Sequence, residues 1–286
     1  MSSSVFILIP AYNRRDTTLH CLRCLHSDVS IQTWSDVCIV VIDDGSADGT
    51  AAAVEAEFPA VQVLAGDGNL WWTGAMRKGM EHAFAADCQV VFWLNDDCVP
   101  RPGSLRHMYD TSVEQGGAII GAACYIAETG VLKPTGARGR VPVAAQPEEL
   151  CPVDELSGHC VCIPRAVMES IGFPETHRFP HYHGDSSYTL RATRAGFSAY
   201  LLGNARVDHP GVIKARPEDF VEFGKVSAIQ AFQQLFLSKK SLYFLPTQFF
   251  YNTEKYGPLY GTALFCLKLG RWLARWIGLM ATTKQL

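Results

Sequence analysis

The sequence predicts an α/β fold, a mostly parallel sheet flanked by helices and followed by a C-terminal helical extension, and three observations predict it. Short β-rich runs alternate with helical patterns through the first half of the chain, the strand runs are apolar throughout, and from Pro217 onward the pattern reads as helix.

The strand runs are 5–9, 38–42, 61–64 and 90–94, with helical patterns at 16–26, 49–57 and 73–86 between them. That alternation makes βαβ units and therefore parallel strands. The run Val-Cys-Ile-Val-Val-Ile at 37–42 has no polar alternation, as expected where helices cover both sheet faces. From about 125 to 155 the pattern weakens into Gly, Pro and polar residues, including Thr135-Gly136-Ala137-Arg138-Gly139-Arg140, which reads as a loop or irregular hairpin. Regular structure resumes at 158–164, continues through a helix at about 185–195 and ends in a short strand at 198–202. The expected division is a catalytic domain at 1–215 and a helical extension at 216–286, without internal repeats.

A chain of 286 residues, 48% hydrophobic and 19% charged, is long enough for one large α/β domain plus an appendage, and its composition excludes disorder. A net charge of −3, with no Lys/Arg-rich stretch interleaved with aromatics, argues against nucleic acid as a partner. Most of the ten cysteines sit among apolar residues and read as buried free thiols. Cys21 and Cys24 form a lone CxxC with no second pair, which reads as structural and not as a zinc site. Because the first strand run begins at Val5, no signal peptide is expected and the catalytic part is placed in the cytoplasm. No window reaches the ~20 apolar residues needed to cross a bilayer.

In open parallel sheets ligands bind beyond the carboxyl ends of the strands. Those ends carry Pro10-Ala11-Tyr12-Asn13, Asp43-Asp44-Gly45-Ser46 and Asn95-Asp96-Asp97. Turn chemistry alone would also favour the second of these, with Ser46 or Asp48 capping the next helix. Two adjacent carboxylates such as Asp96 and Asp97 repel unless a cation or hydrogen-bond donors compensate them. A divalent ion with hard oxygen ligands, Mg²⁺ or Mn²⁺, answers that need and could hold a substrate diphosphate.

Taken in order, PAYNRRD, VVIDDGSADGT, LNDD and HYHGDSSYTLRATRAGF resemble glycosyltransferase family 2, with its GT-A fold, over about residues 5–210, and the overall pattern is most similar to bacterial rhamnosyltransferase-like members that build surface polysaccharides. The resemblance implies that Asp43 hydrogen-bonds the nucleotide base in a pocket lined by Pro10, Ala11, Tyr12 and Asn13. It matches Asn95-Asp96-Asp97 to the DxD motif with Asn95 in place of the first Asp, so that Asp97 is the implied metal ligand and Asp96 lies on the nucleotide side. His209 is implied as a further metal ligand and Asp185 as the catalytic base. The turn from Gly68 to Ala75, with Asn69 and Trp71, falls where the family closes over the nucleotide; small residues there let backbone approach a ligand and a helix N-terminus favours phosphate. For the tandem Trp71-Trp72, core packing and an apolar wall for base or sugar both stay open. Arg77 stands where the family often has Asn, with a phosphate contact as its suggested role. Gly158-His159 reads as acceptor-side or structural.

The implied activity is inverting, Mn²⁺- or Mg²⁺-dependent transfer of a sugar from a nucleoside diphosphate (UDP, dTDP or GDP) to a hydroxyl of a saccharide or lipid-linked acceptor. A sugar nucleotidyltransferase would share the sheet and the metal but should carry a Gly-rich loop with Arg and Lys after the first strand, unlike residues 10–13. A non-catalytic nucleotide-sugar-binding protein would bind donor without hydrolysing it. In the extension, Lys268, Arg271 and Arg275 make one basic helical stripe, Leu269, Leu273, Ile277 and Met280 populate the far side, and Trp272 and Trp276 lie near the boundary. That pattern suits peripheral membrane contact through 257–286, or packing on the chain's own domain or on another subunit of an oligomer.

Overall fold

The structure, a computed structural model, describes residues 4–211 and 215–283. The chain divides into two compact units, Met1–Glu175 with Gly184–Gly211, and Thr176–His183 with Val212–Leu286.

In the first unit β1 (Val5–Ala11), α1 (Arg15–Ser27), α2 (Val29–Gln32), β2 (Val37–Asp43), α3 (Thr50–Glu57), β3 (Gln62–Ala65), α4 (Trp71–Ala85) and β4 (Val90–Leu94) realise the expected alternation. Then follow β5 (Val99–Pro100), α5 (Ser104–Glu114) and β6 (Ile119–Ile126). The stretch read as irregular holds five short strands, β7 (Leu132–Lys133), β8 (Gly136–Arg138), β9 (Val141–Val143), β10 (Leu150–Pro152) and β11 (Glu155–Leu156). The unit closes with β12 (Cys160–Pro164), α6 (Arg165–Ile171), α7 (Gly184–Arg194) and β13 (Ala199–His209).

The main sheet has the order β10-β13-β6-β12-β4-β1-β2-β3, while β11, β8 and β9 form a small sheet of their own. Strands β4, β1, β2 and β3 are mutually parallel; β12 is antiparallel to both β4 and β6, and β13 runs parallel to β6. Both faces are covered, which is why the strands are apolar without alternation: Val5, Ile7 and Ile9 of β1 enter one core cluster, Phe6 and Leu8 the other. The chain builds outward from β1 through β2 to β3, then crosses back to lay β4 on β1's other edge. This reversal opens the crevice in which such sheets bind ligands.

The last strand runs to His209, well past the expected end at 202. Gly203 looks like a terminator, yet it lies where an added Cβ would stand 1.7 Å from the Gln146 carbonyl oxygen. Its role is close backbone approach at a register shift between Leu202 and Arg206, after which pairing with β6 continues.

The second unit contains α8 (Ala228–Phe232), continued by a π turn at Gln233–Leu237, then α9 (Leu245–Tyr256) and α10 (Pro258–Thr283). It is not helix throughout, since residues 220–227 and 238–244 are turns and irregular backbone. Val221, Ala231, Leu235, Phe236 and Tyr243 form its core, and Trp272, Leu273, Trp276 and Met280 pack against it. Leu273 and Met280, on the side opposite the basic stripe, are thus covered by their own unit, while Leu267 and Ile277 stay 67% and 59% exposed. The basic stripe is partly engaged as well, Lys268 donating to Asn252 and Arg275 to Glu218. Among the described residues no helix is long and apolar enough to cross a membrane. All ten cysteines are free, seven of them buried.

Candidate active site

The ends of β1 and β2 are knitted together by the polar residues that follow them. Ala11 pairs with Asp43 at the end of the ladder. Asn13, at φ +50°, donates its backbone N–H to the Ser46 hydroxyl (2.8 Å) and accepts from the Ala47 N–H (2.7 Å). Asp48 accepts from Arg15 N–H and caps the start of α3 through Thr50, so capping explains this residue. Asp43 is buried, and its Oδ1 receives both the N–H and the hydroxyl of Ser46. Its Oδ2 has no hydrogen bond among the described residues. Pro10 and Ala11 lie at the strand end and Tyr12 projects, 47% exposed.

Asp44, one residue on, does a different job. Its Oδ1 accepts from Gly68 (2.9 Å) and Leu70 (3.1 Å) and its Oδ2 from Trp71 (2.9 Å), all backbone N–H groups at the entry to α4. Gly45, at φ +72°, lets this turn close: an added Cβ would stand 3.1 Å from Gly68 N. Asn69 is exposed and bound to its own turn through Asp67, and Arg77 pairs with Glu81 on the outer face of α4, so neither side chain is drawn into the crevice. The two tryptophans separate. Trp71 sits at φ +57° with its N–H on Asp44, whereas Trp72 packs edge-on against Trp93 at 5.3 Å and donates its indole N–H to Asn95 Oδ1 at 2.7 Å. Trp72 thereby reaches the end of β4.

There Asp96 and Asp97 share one cation from within the chain. Arg14 places Nη1 3.0 Å from Asp96 Oδ1 and Nη2 2.9 Å from Asp97 Oδ2, a guanidinium fork spanning the two carboxylates. Burial pushes the Asp96 carboxyl up to about 7, with Arg14 opposing and Asp97 reinforcing the rise. For Asp97, burial is outweighed by Arg14 and the neighbouring imidazoles, which hold it below the usual carboxylate range. The repulsion between the pair is therefore met by Arg14, and a metal no longer follows from the pair alone.

A hard divalent ion still fits in part. Asp97, Cys98 and His209 offer potential ligand atoms that lie within 4.8 Å of one another. Cys98 belongs to the apolar core and burial drives its thiol far up, so it is no ligand for Mg²⁺ or Mn²⁺. Asp97 supplies a suitable oxygen. His209 Nδ1 accepts from Gly211 N–H at 3.0 Å, which puts the ring proton on Nε2, 3.8 Å from Asp97 Oδ2. In this arrangement the Nε2 proton faces Asp97 from beyond hydrogen-bond distance, and ligation through Nε2 requires the proton to move to Nδ1 with loss of the Gly211 bond. His159 meets His209 edge to face at 5.2 Å, and burial, then Lys133 and His209, push its imidazole down to about 3.

Asp185 lies in the first turn of α7, its Oδ2 accepting from Gly158 N–H at 2.6 Å and its Oδ1 from Ser186 N–H at 2.7 Å. Burial raises its pKa despite those donors. Gly158 admits no side chain, because an added Cβ would stand 2.4 Å from the Trp72 ring and 3.1 Å from Asp185 Cβ. The next residue, His159, accepts Asn95 N–H through its carbonyl at 3.1 Å. Gly158-His159 thus ties Asp185 on one side to Asn95 and His209 on the other, with Trp72 filling the angle between Asn95 and Gly158.

Asp43, Asp97, His209 and Asp185 are therefore carried by neighbouring strand ends and the segments attached to them. Arg14, Asp44, Trp72 and His159 complete the arrangement without having been assigned these parts from sequence. Arg14 had a signal, a cation directly after a strand end beside an adjacent carboxylate pair; the other three depend on contacts across the fold.

No curated protein sequence matches the chain significantly. Among solved structures it resembles the mannosyltransferase PcManGT from Pyrobaculum calidifontis, a complex with GDP-Man and Mn²⁺ (TM-score 0.58, 15% identity, 99% of this chain and 79% of that one). It also resembles GalNAc-T7 with UDP, GalNAc and Mn²⁺ (TM-score 0.58, 12% identity), covering 87% of this chain and half of that one. A third likeness is TarS residues 1–349 from S. aureus (TM-score 0.54, 15% identity, 87% and 71% covered). At such identities these structures establish the fold. The family profile that matches, over residues 6–170, is glycosyl transferase family 2; it spans more than half of the chain and ends before Asp185 and His209, and the chain belongs to that family of glycosyltransferases.

Proposed function

We propose that this glycosyltransferase is inverting and metal-dependent, and moves a sugar from a nucleoside-diphosphate donor to a hydroxyl of a saccharide or lipid-linked acceptor, in the synthesis of surface polysaccharide by a rhamnosyltransferase-like enzyme. The observation that carries this reading is the attachment of Asp185, through Gly158-His159, to the strand end that bears Asp97. One half-buried carboxylate is thereby tied through Gly158-His159 to the strand end that bears another, so a base and a candidate metal ligand share one rim. Asp43 Oδ2 receives the base. Asp97 would hold an Mn²⁺ or Mg²⁺ ion, as the Mn²⁺ complexes of PcManGT and GalNAc-T7 encourage, with His209 joining in the tautomer that carries its proton on Nδ1. Such an ion offsets the charge that develops on a departing diphosphate. Asp185 takes the proton of the acceptor hydroxyl as it attacks the anomeric carbon. Each of its oxygens accepts one backbone bond and keeps lone-pair capacity for that proton.

Asp185→Asn is expected to leave nucleotide binding intact and to lower transfer by about a thousandfold. Because the carboxylate is the working form and burial raises its pKa, wild-type kcat/KM should fall as pH drops through a value above the usual carboxylate range. Full activity in Asp185→Asn, or a retained anomeric configuration in the product by NMR, would remove the base and the single displacement respectively.

The reading extends to peripheral membrane attachment, now carried by the exposed Leu267 and Ile277 of α10 and not by Leu273 or Met280. Deleting the helix would uncover its unit's core, so the clean test is Leu267→Glu with Ile277→Glu. Sedimentation with anionic vesicles should fall severalfold; unchanged sedimentation would end the idea.

A further inference from the structure

Lys133 is 8% exposed, and among the described residues no hydrogen bond or ion pair engages its ammonium. Its stem is buried while the ammonium is not among the fully buried polar atoms, so an anion arriving from outside can meet it. The position of Lys133 says where. On β7 it pairs with Cys124 of β6, which pairs in turn with Val207 of β13, so the three side chains share one row and one sheet face. His209, two residues beyond Val207, returns to that face. The acids of this corner are already taken: Asp97 and Asp96 share Arg14, and Asp208, one register row away, is held by Arg101 and Arg206. Burial keeps the Cys124 thiol protonated, so it offers no anion either.

We propose that Lys133 binds phosphate, holding the diphosphate of the nucleotide-sugar donor beside Asp97 and His209. The inference rests on the donor reading above. Arg14 is committed to the two aspartates, so Lys133 is the cation of this corner with no acid of its own to answer. An ammonium on a flexible stem suits a diphosphate as a compact charge. The sequence does not reveal the residue, because its segment has no periodicity and is ordered only by pairing with β6.

The test uses the full chain and calorimetric titration with UDP, dTDP and GDP and the matching nucleosides, in EDTA and in Mn²⁺, for wild type, Lys133→Met, Lys133→Gln and Lys133→Arg. Lys133→Met and Lys133→Gln should weaken the bound diphosphate about tenfold or more with and without metal, leave the nucleoside within about twofold, and be largely rescued by Lys133→Arg. The ligand-free melting temperature should stay level, since no hydrogen bond or ion pair among the described residues is lost; a merely structural lysine would lower it and weaken nucleoside and diphosphate alike. Unchanged diphosphate affinity overturns the proposal. So does unchanged diphosphate affinity coupled to lost binding of vesicles containing a polyprenyl phosphate, which would move the phosphate to the acceptor. If wild type bound none of the three nucleotides, the donor reading would fall and this inference with it; if wild type bound one and the variants matched it, the inference alone would fall.

Discussion

Asp43-Asp44 after β2 and Asp96-Asp97 after β4 are the same dipeptide at the ends of two parallel strands that flank β1. In the first pair the carboxylates are met by neutral donors: Ser46 for Asp43, and three backbone N–H groups for Asp44. In the second they are met by charge, through Arg14 across both and His209 facing Asp97. Adjacent carboxylates therefore do not by themselves signal a metal; what they signal is a demand for compensation, and the surrounding fold decides its kind. Neutral donors build a turn with one Asp43 oxygen left without a hydrogen bond among the described residues. A guanidinium fork on a half-exposed arginine answers the second pair by charge, from a residue that follows a different strand.

Substitutions can break this contrast, beginning with the largest effect. Asp97→Ala should abolish Mn²⁺-dependent nucleotide binding, a loss on the order of a hundredfold or more, since removing even a residue that only supports a ligand costs ten- to a hundredfold. Titration in Mn²⁺ checks it, and retained metal dependence would move the ion elsewhere. Asp44→Ala should instead cost stability, about 3 kcal/mol by urea denaturation, because three backbone N–H groups lose their acceptor at once. A change of only about 0.5 kcal/mol, the scale of an ordinary surface substitution, would mean the α4 entry is held by other means. Arg14→Gln has the smallest and most diagnostic effect. Ligand-free stability should drop by roughly 1 kcal/mol, and the thermal shift on adding Mn²⁺ should exceed that of wild type, as the ion gains carboxylates no longer occupied by the guanidinium. An equal or smaller shift would show that Arg14 does not compete for the site.

Much of the sheet could be read directly. The apolar runs that became β1, β2, β3 and β4, and the polar residues at their ends, follow from periodicity within a few neighbours. The same local logic failed after Leu202, where the strand was expected to end but continues past Gly203, a point of close backbone approach inside β13, and this hid why His209 stands at the crevice. It failed again between 125 and 155, where strands of two or three residues carry no pattern and exist only through their partners. In the extension the amphipathic stripe was legible, but which apolar side chains its own unit covers was not.

The amino-acid sequence by itself determined the α/β class, the family motifs and the identity of the carboxylates at the strand ends, because these depend on residues close together along the chain. Tertiary structure alone decided that Arg14 answers Asp97 from 83 positions away and that Trp72 reaches Asn95 across 23. It also decided that Gly158 anchors Asp185 across 27, and that Lys133 stands mostly buried without an acidic partner among the described residues. Such pairings are fixed by strand order and register, and the same local pattern is compatible with many of either.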